Sequence, residues 1–396
     1  MEEINIIKVL ATGVNIEENF GGPSILHGIQ EVLTELYGND YELTYYQTTP
    51  FNKYSSCDFN FKLQTVPFVK ENLGVALLRE KSMKELIREI KSSDIIVDLY
   101  GICFSDNLKV QKYRYFWMVI QVLYSFRILA IAKIFRRKTV KNTCSFGPMK
   151  SKMNQMSAAF ACKYLFDVVS AREIKSRDAL LYDAKVKKEI LLSPDIANTM
   201  TFSKDRICDK KIIGISTSHQ IIRQWKGKEG YVDSIVNLCR HISQTYDISI
   251  VLIPNEVQHK PDFNDITVSL EIQYKLINED IHVEIIDSAH MSSTELKNII
   301  ASCEIFIASR YHSCVAALSS GVPTLVVGWH YKYEELLHWY GQDKWEIPTD
   351  DCTSEKLIST FDSFWESRDK SRKIIAEKYP EVREAVLETG KIMFSK

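Results

Sequence analysis

The chain has 396 residues, of which 50 are Lys or Arg, 51 are Asp or Glu and 45% are hydrophobic. This apolar content is enough for packed cores and excludes global disorder, while only 15 Gly and 10 Pro exclude collagen-like and low-complexity architectures. The length indicates two domains, at roughly 100–200 residues each. A net charge of −1 gives no reason to expect a nucleic-acid-binding protein.

The nine cysteines are scattered, and no two of them have the CxxC spacing. A zinc ribbon or a disulfide framework needs closely spaced pairs, so the pattern favours reduced, mostly buried thiols in a cytoplasmic protein. The opening residues MEEINIIKVL contain an apolar run that is too short for a signal peptide.

The charge is distributed unevenly. Residues 107–166 contain twelve Lys or Arg and no acid, whereas the rest of the chain has 38 basic and 51 acidic residues. Such a block predicts an anionic partner for one face. Within it, Tyr115–Phe135 is long and apolar enough to span a bilayer, but Arg127 and Lys133 interrupt it. We expect a helix that is partly buried against its own domain or lies on a membrane, with peripheral contact through residues 112–138 at the inner face of the plasma membrane.

Strand and helix patterns alternate in the first half of the chain. The predicted strands are Ile4–Leu10, Tyr41–Tyr46, Asp94–Tyr100, Thr139–Ser145 and Asp167–Ser170. The predicted helices are Ile25–Tyr37 (with Ser24 as the N-cap), Ser82–Lys91, Lys112–Arg137, Met153–Tyr164 and Ser176–Leu181. The alternation stops at Leu192–Lys211, a polar stretch that is predicted to be a linker.

The alternation resumes after the linker. The predicted strands are Lys211–Ile215, Ile248–Ile253, Val283–Ile286, Ile305–Ala308 and Pro323–Val327. The predicted helices are Tyr231–Thr245, Ser293–Cys303 and His312–Ser320, followed by a tail, Ser354–Phe394, of two or three helices. The pattern predicts an α/β protein of two doubly wound, Rossmann-like domains, 1–200 and 201–396, with an interdomain cleft and ligands near the carboxyl ends of the strands.

The most informative motif follows the buried strand Ile305–Ala308. Arg310 and His312 lie where this strand ends and a helix begins, a place where backbone amides and the helix dipole hold anions. The planar guanidinium of Arg310 suits a carboxylate or a phosphate, and His312 can exchange a proton near neutral pH. Lys332, in the loop after the next strand, can reach the same place. Alternatively, Arg310 pairs with a structural acid and His312 caps the helix.

The stretch SRYHSCVAALSSGVPTLVVGWHYKYEELL, which starts at Ser309, resembles the C-terminal signature of the polysaccharide pyruvyl transferase family. The family pattern is Ser-x-Arg-x-His, then Ala-Leu, a Gly-Val-Pro turn and a Lys, and here the serine stands directly beside the arginine. Further matching segments occur in family order. They are Asn19–Ser24, Asp94–Gly101, Ser145–Pro148, Ser170–Ser176 and Ser193–Asp195, and together with the signature they cover most of residues 10–340.

The resemblance implies a GT-B-like fold and a metal-independent enzyme without a cofactor. It implies transfer of the enolpyruvyl unit of phosphoenolpyruvate, as a pyruvate ketal, to a sugar of an exopolysaccharide or capsule precursor. On this basis His312 is the general acid and Arg310 assists it. The donor site comprises Ser309, Arg310, Lys332, Ser218 and Arg223, and the acceptor site comprises Asn19, Gly21, Gly22, Ser24, Asp98 and Asp106. The basic block leaves open whether the acceptor is linked to a lipid diphosphate.

The chain departs from the family pattern on the acceptor side. Gly21-Gly22 replaces the usual Gly-Asp pair, and only Gly101 remains of a glycine-rich turn. Asp98 or Asp106 is expected to deprotonate the acceptor, and the sequence does not choose between them. For each, a solvated or helix-capping acid is the alternative.

Two other functions compete with this interpretation. The first is a GT-B glycosyltransferase that uses a nucleotide sugar, in which an acid of the donor site binds sugar hydroxyls. Because no acid occurs between Arg310 and Trp329, an acid-free pocket is expected, and this suits the small trianion better. The second is a non-enzymatic protein that binds anions or membranes, which leaves the Arg310–His312 motif unexplained.

Overall fold

The computed structural model describes residues 6–47, 59, 61–65, 80–106, 126–203, 211–225, 229–257 and 264–396. Its contacts divide the chain into two units. The first unit contains Met1–Asn15, Ile29–Ile196 and Ala385–Lys396, and the second contains Ile16–Gly28 and Ala197–Glu384. The boundary between the units after Ile196 lies close to residue 200, where the sequence predicted it. However, Ile16–Gly28 belongs to the second unit and Ala385–Lys396 to the first, although their positions in the sequence suggest the opposite.

A parallel sheet of eight strands forms the centre of the first unit. Its strands are β1 (Ile7–Thr12), β2 (Tyr41–Gln47), β3 (Lys62–Thr65), β4 (Ile95–Asp98), β5 (Ile102–Cys103), β6 (Lys138–Phe146), β7 (Val168–Ala171) and β8 (Leu191–Leu192). The order is β3-β2-β1-β4-β6-β7-β8, with β5 paired to β6. Such sheets are covered on both faces, which explains why β1 and β4 are mostly apolar, whereas the buried strand β6 is largely polar.

Helices alternate with these strands, as predicted. They are α1 (Gly21–Tyr37), α2 (Glu80–Ser92), α3 (126–134), α4 (Lys152–Phe160), continued by the π-turn Ala161–Leu165, and α5 (Ile174–Asp178), continued by the π-turn Ala179–Asp183. Helix α2 shows the packing principle, because Leu86 and Ile90 lie one turn apart and join Ile96 of β4 in one core cluster.

The second unit contains a parallel sheet of six strands in the order β11-β10-β9-β12-β13-β14. These strands are β9 (Ile212–Ser216), β10 (Ser249–Leu252), β11 (Val283–Ile285), β12 (Ile305–Ala308), β13 (Thr324–Gly328) and β14 (Glu346–Pro348). The chain progresses outward in one direction from β9 and in the other from β12. The point where the order reverses therefore lies between β9 and β12, and ligands of open α/β sheets bind at such points.

Seven helices are described in the second half of the chain. They are α6 (His219–Gln224), α7 (Tyr231–Thr245), α8 (Asp265–Ile277), α9 (Ser293–Ala301), α10 (Tyr311–Ser319), α11 (Lys332–Trp339) and α12 (Ser354–Phe394). Their apolar faces pack on the sheet in one core cluster, to which β9 contributes Ile213 and Ile215 and α12 contributes Phe361. All seven cysteines of the described residues are free thiols, and six of them are buried.

Helix α1 begins four residues earlier than the sequence pattern predicted. The side chain of Asn19 accepts a hydrogen bond from the amide of Gly22 at 2.8 Å, so Asn19 caps the helix. Ser24 was the wrong choice for the N-cap, because it lies inside the helix and its hydroxyl donates to the carbonyl of Phe20 at 2.7 Å.

The predicted linker is folded over much of its length. Residues 193–200 are buried, and their polar groups have partners. Asp195 pairs with Arg172, and the hydroxyl of Tyr340 donates to the side-chain oxygen of Asn198 at 2.7 Å. The polar composition of this stretch thus reflects buried hydrogen bonding rather than exposure, and the linker prediction is wrong for these residues.

The C-terminal tail is one helix of 41 residues with Pro380 inside it, where two or three helices were predicted. A proline inside a helix costs about 3 kcal/mol, and the burial of Ile375 and Val382 on either side offsets this cost. Residues 107–125, which include most of the predicted membrane-contact segment, lie outside the described residues. No helix in the described part of the chain is long and apolar enough to cross a membrane.

Candidate active site

The predicted Arg310–His312 motif lies where the strand order of the second sheet reverses. Strands β9 and β12 are paired up to Ser216 and Ala308, so the residues after both strands emerge at the same edge. The loop after β12 leads directly into helix α10, whose first residue is Tyr311. The motif therefore occupies the position that the topology favours for a ligand.

Ser309 anchors this loop inside the unit. Its amide donates to the hydroxyl oxygen of Ser216 at 2.8 Å, and its own hydroxyl oxygen accepts from the hydroxyl of Tyr231 at 3.0 Å. The hydroxyl of Tyr333 donates to the Ser309 carbonyl at 3.3 Å. Ser309 is fully buried, so these bonds fix the backbone from which Arg310 and the helix start. A direct contact of Ser309 with a donor stays a prediction.

Arg310 is held by two carboxylates. Its Nε and Nη2 donate to the two oxygens of Asp265 at 2.9 and 2.5 Å, and its Nη1 lies 2.6 Å from Glu256. Burial alone would lower the pKa of Arg310, but the attraction of Asp265 and Glu256 outweighs it and raises the pKa above its ordinary value. The expectation of an acid-free pocket is therefore wrong. The cluster of one guanidinium and two carboxylates carries a net charge of −1.

The guanidinium keeps donor capacity despite these ion pairs. Arginine has five N–H groups, and the carboxylates of Asp265 and Glu256 take up three of them. Two N–H groups of Arg310, one on each Nη, thus remain for a ligand among the described residues. The side chain is 17% exposed, which leaves it accessible from one side.

Sequence reasoning missed both acids of this site, Glu256 and Asp265, and the one with more contacts is Asp265. Its carboxylate is fully buried and accepts from the backbone amides of His219 and Glu256 at 2.9 Å each and of Asn255 at 3.3 Å. It thereby connects the ends of β9 and β10 with Arg310 after β12. The sequence signal was an acid at the first position of a helix, which is ordinary for a helix start, whereas its main partner is 45 residues away.

His312 packs against the glycine loop of the N-terminal segment. A Cβ atom added at Gly21 would overlap the imidazole ring, so only glycine allows this approach. The loop is anchored in the same unit, because the amide of Phe20 donates to the Asn255 carbonyl at 3.0 Å and that of Val257 to the Glu18 carbonyl at 2.8 Å. Gly21 begins α1 and His312 is the second residue of α10, so two helix N-termini converge at the imidazole.

Lys332 lies in a cluster of aromatic rings at the start of α11. Its Nζ is 4.9, 5.2 and 5.5 Å from the ring centroids of Trp329, Tyr311 and Tyr333. Cation–π attraction of this kind stabilises a charge that is 7% exposed and stands at the positive end of a helix. The ring of Tyr311 is also 5.3 Å from that of His312, in a perpendicular arrangement. Lys332 and His312 therefore flank the same tyrosine.

The two other predicted donor residues belong to α6. Ser218 is buried and caps the helix, since its hydroxyl oxygen accepts from the amide of Ile221 at 3.3 Å. Arg223 lies in the last turn and is exposed. Donor binding by either residue stays a prediction. The glycine-loop residues Asn19, Gly21, Gly22 and Ser24 lie in the second unit with these residues, although the acceptor role predicted for them assigned them to the N-terminal domain.

The two candidate bases, Asp98 and Asp106, both lie in the first unit and already have partners. Asp98 is 3.3 Å from the buried ammonium of Lys141. Burial lowers the pKa of Lys141, but the attraction of Asp98 together with Cys103 and Cys144 outweighs this effect and raises the pKa above its ordinary value. Asp106 accepts from the hydroxyl and the amide of Ser151 at 2.7 and 2.8 Å and so fixes the start of α4. These contacts fit structural roles, and the role of either acid as a base stays a prediction.

Three further predicted segments assemble into one buried network in the first unit. Arg172 bonds to Glu173 at 3.0 Å and also to Asp195, and Glu173 accepts from the hydroxyls of Ser145 and Ser176 at 2.6 and 2.5 Å. Each nitrogen of the buried Arg172 guanidinium donates at least one hydrogen bond, as a buried charge requires. Among the described residues, no group of three or more His, Cys, Asp or Glu could hold a metal ion.

Comparison with known proteins identifies the family of the chain. The family model of polysaccharide pyruvyl transferase matches residues 19–331, a span that includes the glycine loop, the Arg172 network, Arg310 and His312. The chain belongs to the polysaccharide pyruvyl transferase family. It is therefore a transferase, with a place in polysaccharide biosynthesis. No curated protein sequence matches the chain.

Solved structures show that this family member has the GT-B fold. A UDP-N-acetylglucosamine 2-epimerase has a TM-score of 0.62 at 13% identity, covering 98% of this chain and 95% of its own. The Neisseria meningitidis epimerase bound to UDP-GlcNAc has a TM-score of 0.57 at 12% identity, and Anabaena HepE in complex with UDP and glucose has 0.57 at 13%. Each of these two covers 98% of both chains. At such low identity the likeness establishes the fold alone.

Proposed function

We propose that this transferase moves the enolpyruvyl unit of phosphoenolpyruvate to two hydroxyls of a sugar, as a pyruvate ketal, in the synthesis of an exopolysaccharide or capsule. The observation that carries the proposal is the environment of His312. Its imidazole packs on Gly21 and lies at the meeting point of two helix N-termini, within the residues matched by the family model. A proton donor beside amides that favour negative charge is what an anionic enol ester requires.

The chemistry begins with a proton transfer. Protonated His312 gives its proton to the methylene carbon, which becomes a methyl group, and the adjacent carbon becomes oxocarbenium-like. A sugar hydroxyl attacks that carbon, the bond from carbon to the phosphate oxygen breaks, and inorganic phosphate leaves. A second hydroxyl then adds to the same carbon and closes the ketal. Of the two hydroxyl protons, one returns to His312 and one leaves with phosphate.

The charged groups of the donor are expected to bind around this proton donor. The amides at the starts of α1 and α10 and the ammonium of Lys332 supply positive potential for phosphate and carboxylate. The remaining N–H groups of Arg310 add two directed hydrogen bonds. Asp265 and Glu256 neutralise Arg310, so we assign Arg310 and the helix termini mainly to orienting the donor. We assign Lys332 mainly to neutralising the donor's negative charge.

Glu256 favours a second candidate, a glycosyltransferase that uses a nucleotide sugar. Its carboxylate is 21% exposed beside Arg310, where it can accept hydrogen bonds from ribose or sugar hydroxyls. Two of the structural neighbours are described with UDP or a UDP-sugar bound. Fold similarity at this level of identity does not identify the donor substrate. The two candidate functions share one architecture, so an assay with both donors is needed to distinguish them.

The test compares both donors with the same acceptors. The purified protein is incubated with radiolabelled phosphoenolpyruvate or with radiolabelled UDP-sugars and a panel of free and lipid-diphosphate-linked saccharides. We expect label from phosphoenolpyruvate in the saccharide and release of inorganic phosphate in equal amount. Transfer from a UDP-sugar without consumption of phosphoenolpyruvate would refute the proposal. The panel also shows whether the acceptor is lipid-linked.

A further inference from the structure

The acid-free block of the sequence carries an exposed apolar row in the first unit. Met156, Phe160 and Tyr164 are 72%, 52% and 54% exposed. They are four residues apart along α4 and its π-turn, and this spacing places side chains on one face of a helix. The ring centroids of Phe160 and Tyr164 are 5.2 Å apart. We define these three residues as the α4 row.

Lysines flank the α4 row. Lys152 and Lys163 are both exposed, and the Nζ of Lys163 is 4.8 Å from the ring centroid of Tyr164. The sequence has no acid from residue 107 to residue 166. The next acid, Asp167, is paired with Lys133 at 2.5 Å, so it does not neutralise the lysines of the row. The helix that carries the α4 row therefore combines exposed apolar side chains with positive charge.

A second exposed row shows that apolar exposure alone does not define a partner. Leu270, Tyr274 and Ile277 on α8 are 53%, 74% and 65% exposed and also lie on one helix face. In contrast to the α4 row, this α8 row has exposed acids beside it, Glu271 and Asp280. The two rows match in apolar content and differ in the sign of the adjacent charge, so the charge indicates the partner of the α4 row.

We propose that the α4 row, together with Lys152 and Lys163, binds the surface of an anionic phospholipid membrane. Methionine and aromatic side chains partition into the boundary between headgroups and acyl chains, and lysines attract anionic headgroups. A second copy of the chain docking through the same row would bring lysines against lysines, which is unfavourable. Binding itself does not depend on catalysis. Its use for reaching a lipid-linked acceptor rests on the function proposed above.

The test is flotation of the full chain with vesicles of phosphatidylcholine containing one quarter phosphatidylglycerol, and with vesicles of phosphatidylcholine alone. One variant changes Met156, Phe160 and Tyr164 to Ser, and another changes Lys152 and Lys163 to Gln. The matched control changes Leu270, Tyr274 and Ile277 to Ser. Circular dichroism and thermal unfolding establish that each variant is folded.

We expect binding to the anionic vesicles only, and we expect it to weaken as salt is added. The serine variant of the α4 row should bind about tenfold more weakly, and the glutamine variant about 25-fold, since each lysine near such a surface contributes about fivefold. The control variant of the α8 row should bind as the wild type does. Equal binding by the wild type and the serine variant of the α4 row would overturn the proposal, as would dimerisation through that row without vesicle binding. Failure of phosphoenolpyruvate turnover would not, because flotation needs no substrate.

Discussion

Replacing Asp265 by Asn is the sharpest perturbation of the site, because the carboxylate is fully buried and accepts five hydrogen bonds from Arg310, His219, Asn255 and Glu256. The amide has nearly the same shape, but it loses the charge and turns one acceptor into a donor that faces N–H groups. Removing one partner of a buried ion pair costs about 3–5 kcal/mol, so we expect this loss in the free energy of unfolding.

The assay is urea unfolding followed by circular dichroism, together with the turnover of phosphoenolpyruvate. Asp233→Asn is the matched control, because Asp233 pairs with Lys275 at 2.7 Å on the exposed surface, where such pairs contribute under about 1 kcal/mol. We expect Asp265→Asn also to lower kcat, since the guanidinium and three backbone amides lose their common partner.

The double variant Asp265→Leu with Arg310→Met separates stability from activity. Removing the guanidinium together with the carboxylate leaves no uncompensated charge on Arg310, but the three backbone amides that donate to Asp265 lose their acceptor, so stability should return only in part while turnover does not. If Asp265→Asn changes the free energy of unfolding no more than Asp233→Asn does, the assignment of Asp265 as the organising carboxylate is refuted. Recovery of full turnover in the double variant would remove Arg310 from the mechanism.

Three further predictions follow from single contacts. Gly21→Ala should lower kcat by about a hundredfold, because its methyl group displaces the ring of His312. Glu256→Gln should lower the KM for phosphoenolpyruvate by about tenfold, because a charge that competes for Arg310 is removed. His27→Leu should make the free energy of unfolding less sensitive to acid. Burial lowers the pKa of His27 to about 4 in the folded protein. Up to about 3 kcal/mol of stability that is present above pH 6.5 is therefore lost in the wild type as the pH falls towards 4.

The controls and contrary results differ among these three. Gly230→Ala is the control for Gly21→Ala, because an added Cβ at Gly230 meets only Asp233 at 3.5 Å, an ordinary contact. An unchanged or higher KM in Glu256→Gln would place the donor away from Arg310. For His27, the test is chemical unfolding of the wild type and of His27→Leu at pH 7 and at pH 4. If both proteins lose the same stability between these pH values, His27 does not cause the acid sensitivity.

The fold could be predicted from the sequence because the patterns that indicate strands and helices are local. Buried parallel strands such as β12 are continuous apolar runs, and amphipathic helices such as α7 repeat with helical period, so alternation alone predicted two doubly wound domains. Strands β3, β5, β8 and β14 were missed because each has only two to four residues. The tail was wrongly divided because tertiary packing carries α12 through Pro380.

The site could be predicted only where its residues are consecutive. Arg310 and His312 lie close together in the sequence after β12, so their position at the end of this strand could be predicted. Asp265 lies 45 residues from Arg310 in sequence, and the contact between Gly21 and His312 spans most of the chain. Such pairs arise from the order of strands in the sheet and have no local pattern. The prediction of an acid-free pocket was wrong for the same reason, because Glu256 lies after β10 and Asp265 begins α8, both far from Arg310 in the sequence.

The central claim is that His312 protonates the methylene carbon of phosphoenolpyruvate during transfer to a sugar. The most direct measurement is the mass of the ketal formed in deuterium oxide by the wild type and by His312→Ala. We expect one deuterium in the pyruvate methyl group of the ketal that the wild type forms. With His312→Ala we expect no ketal, although phosphoenolpyruvate still binds. Ketal formation at the wild-type rate by His312→Ala, or a ketal without deuterium in the methyl group, would contradict this role of His312.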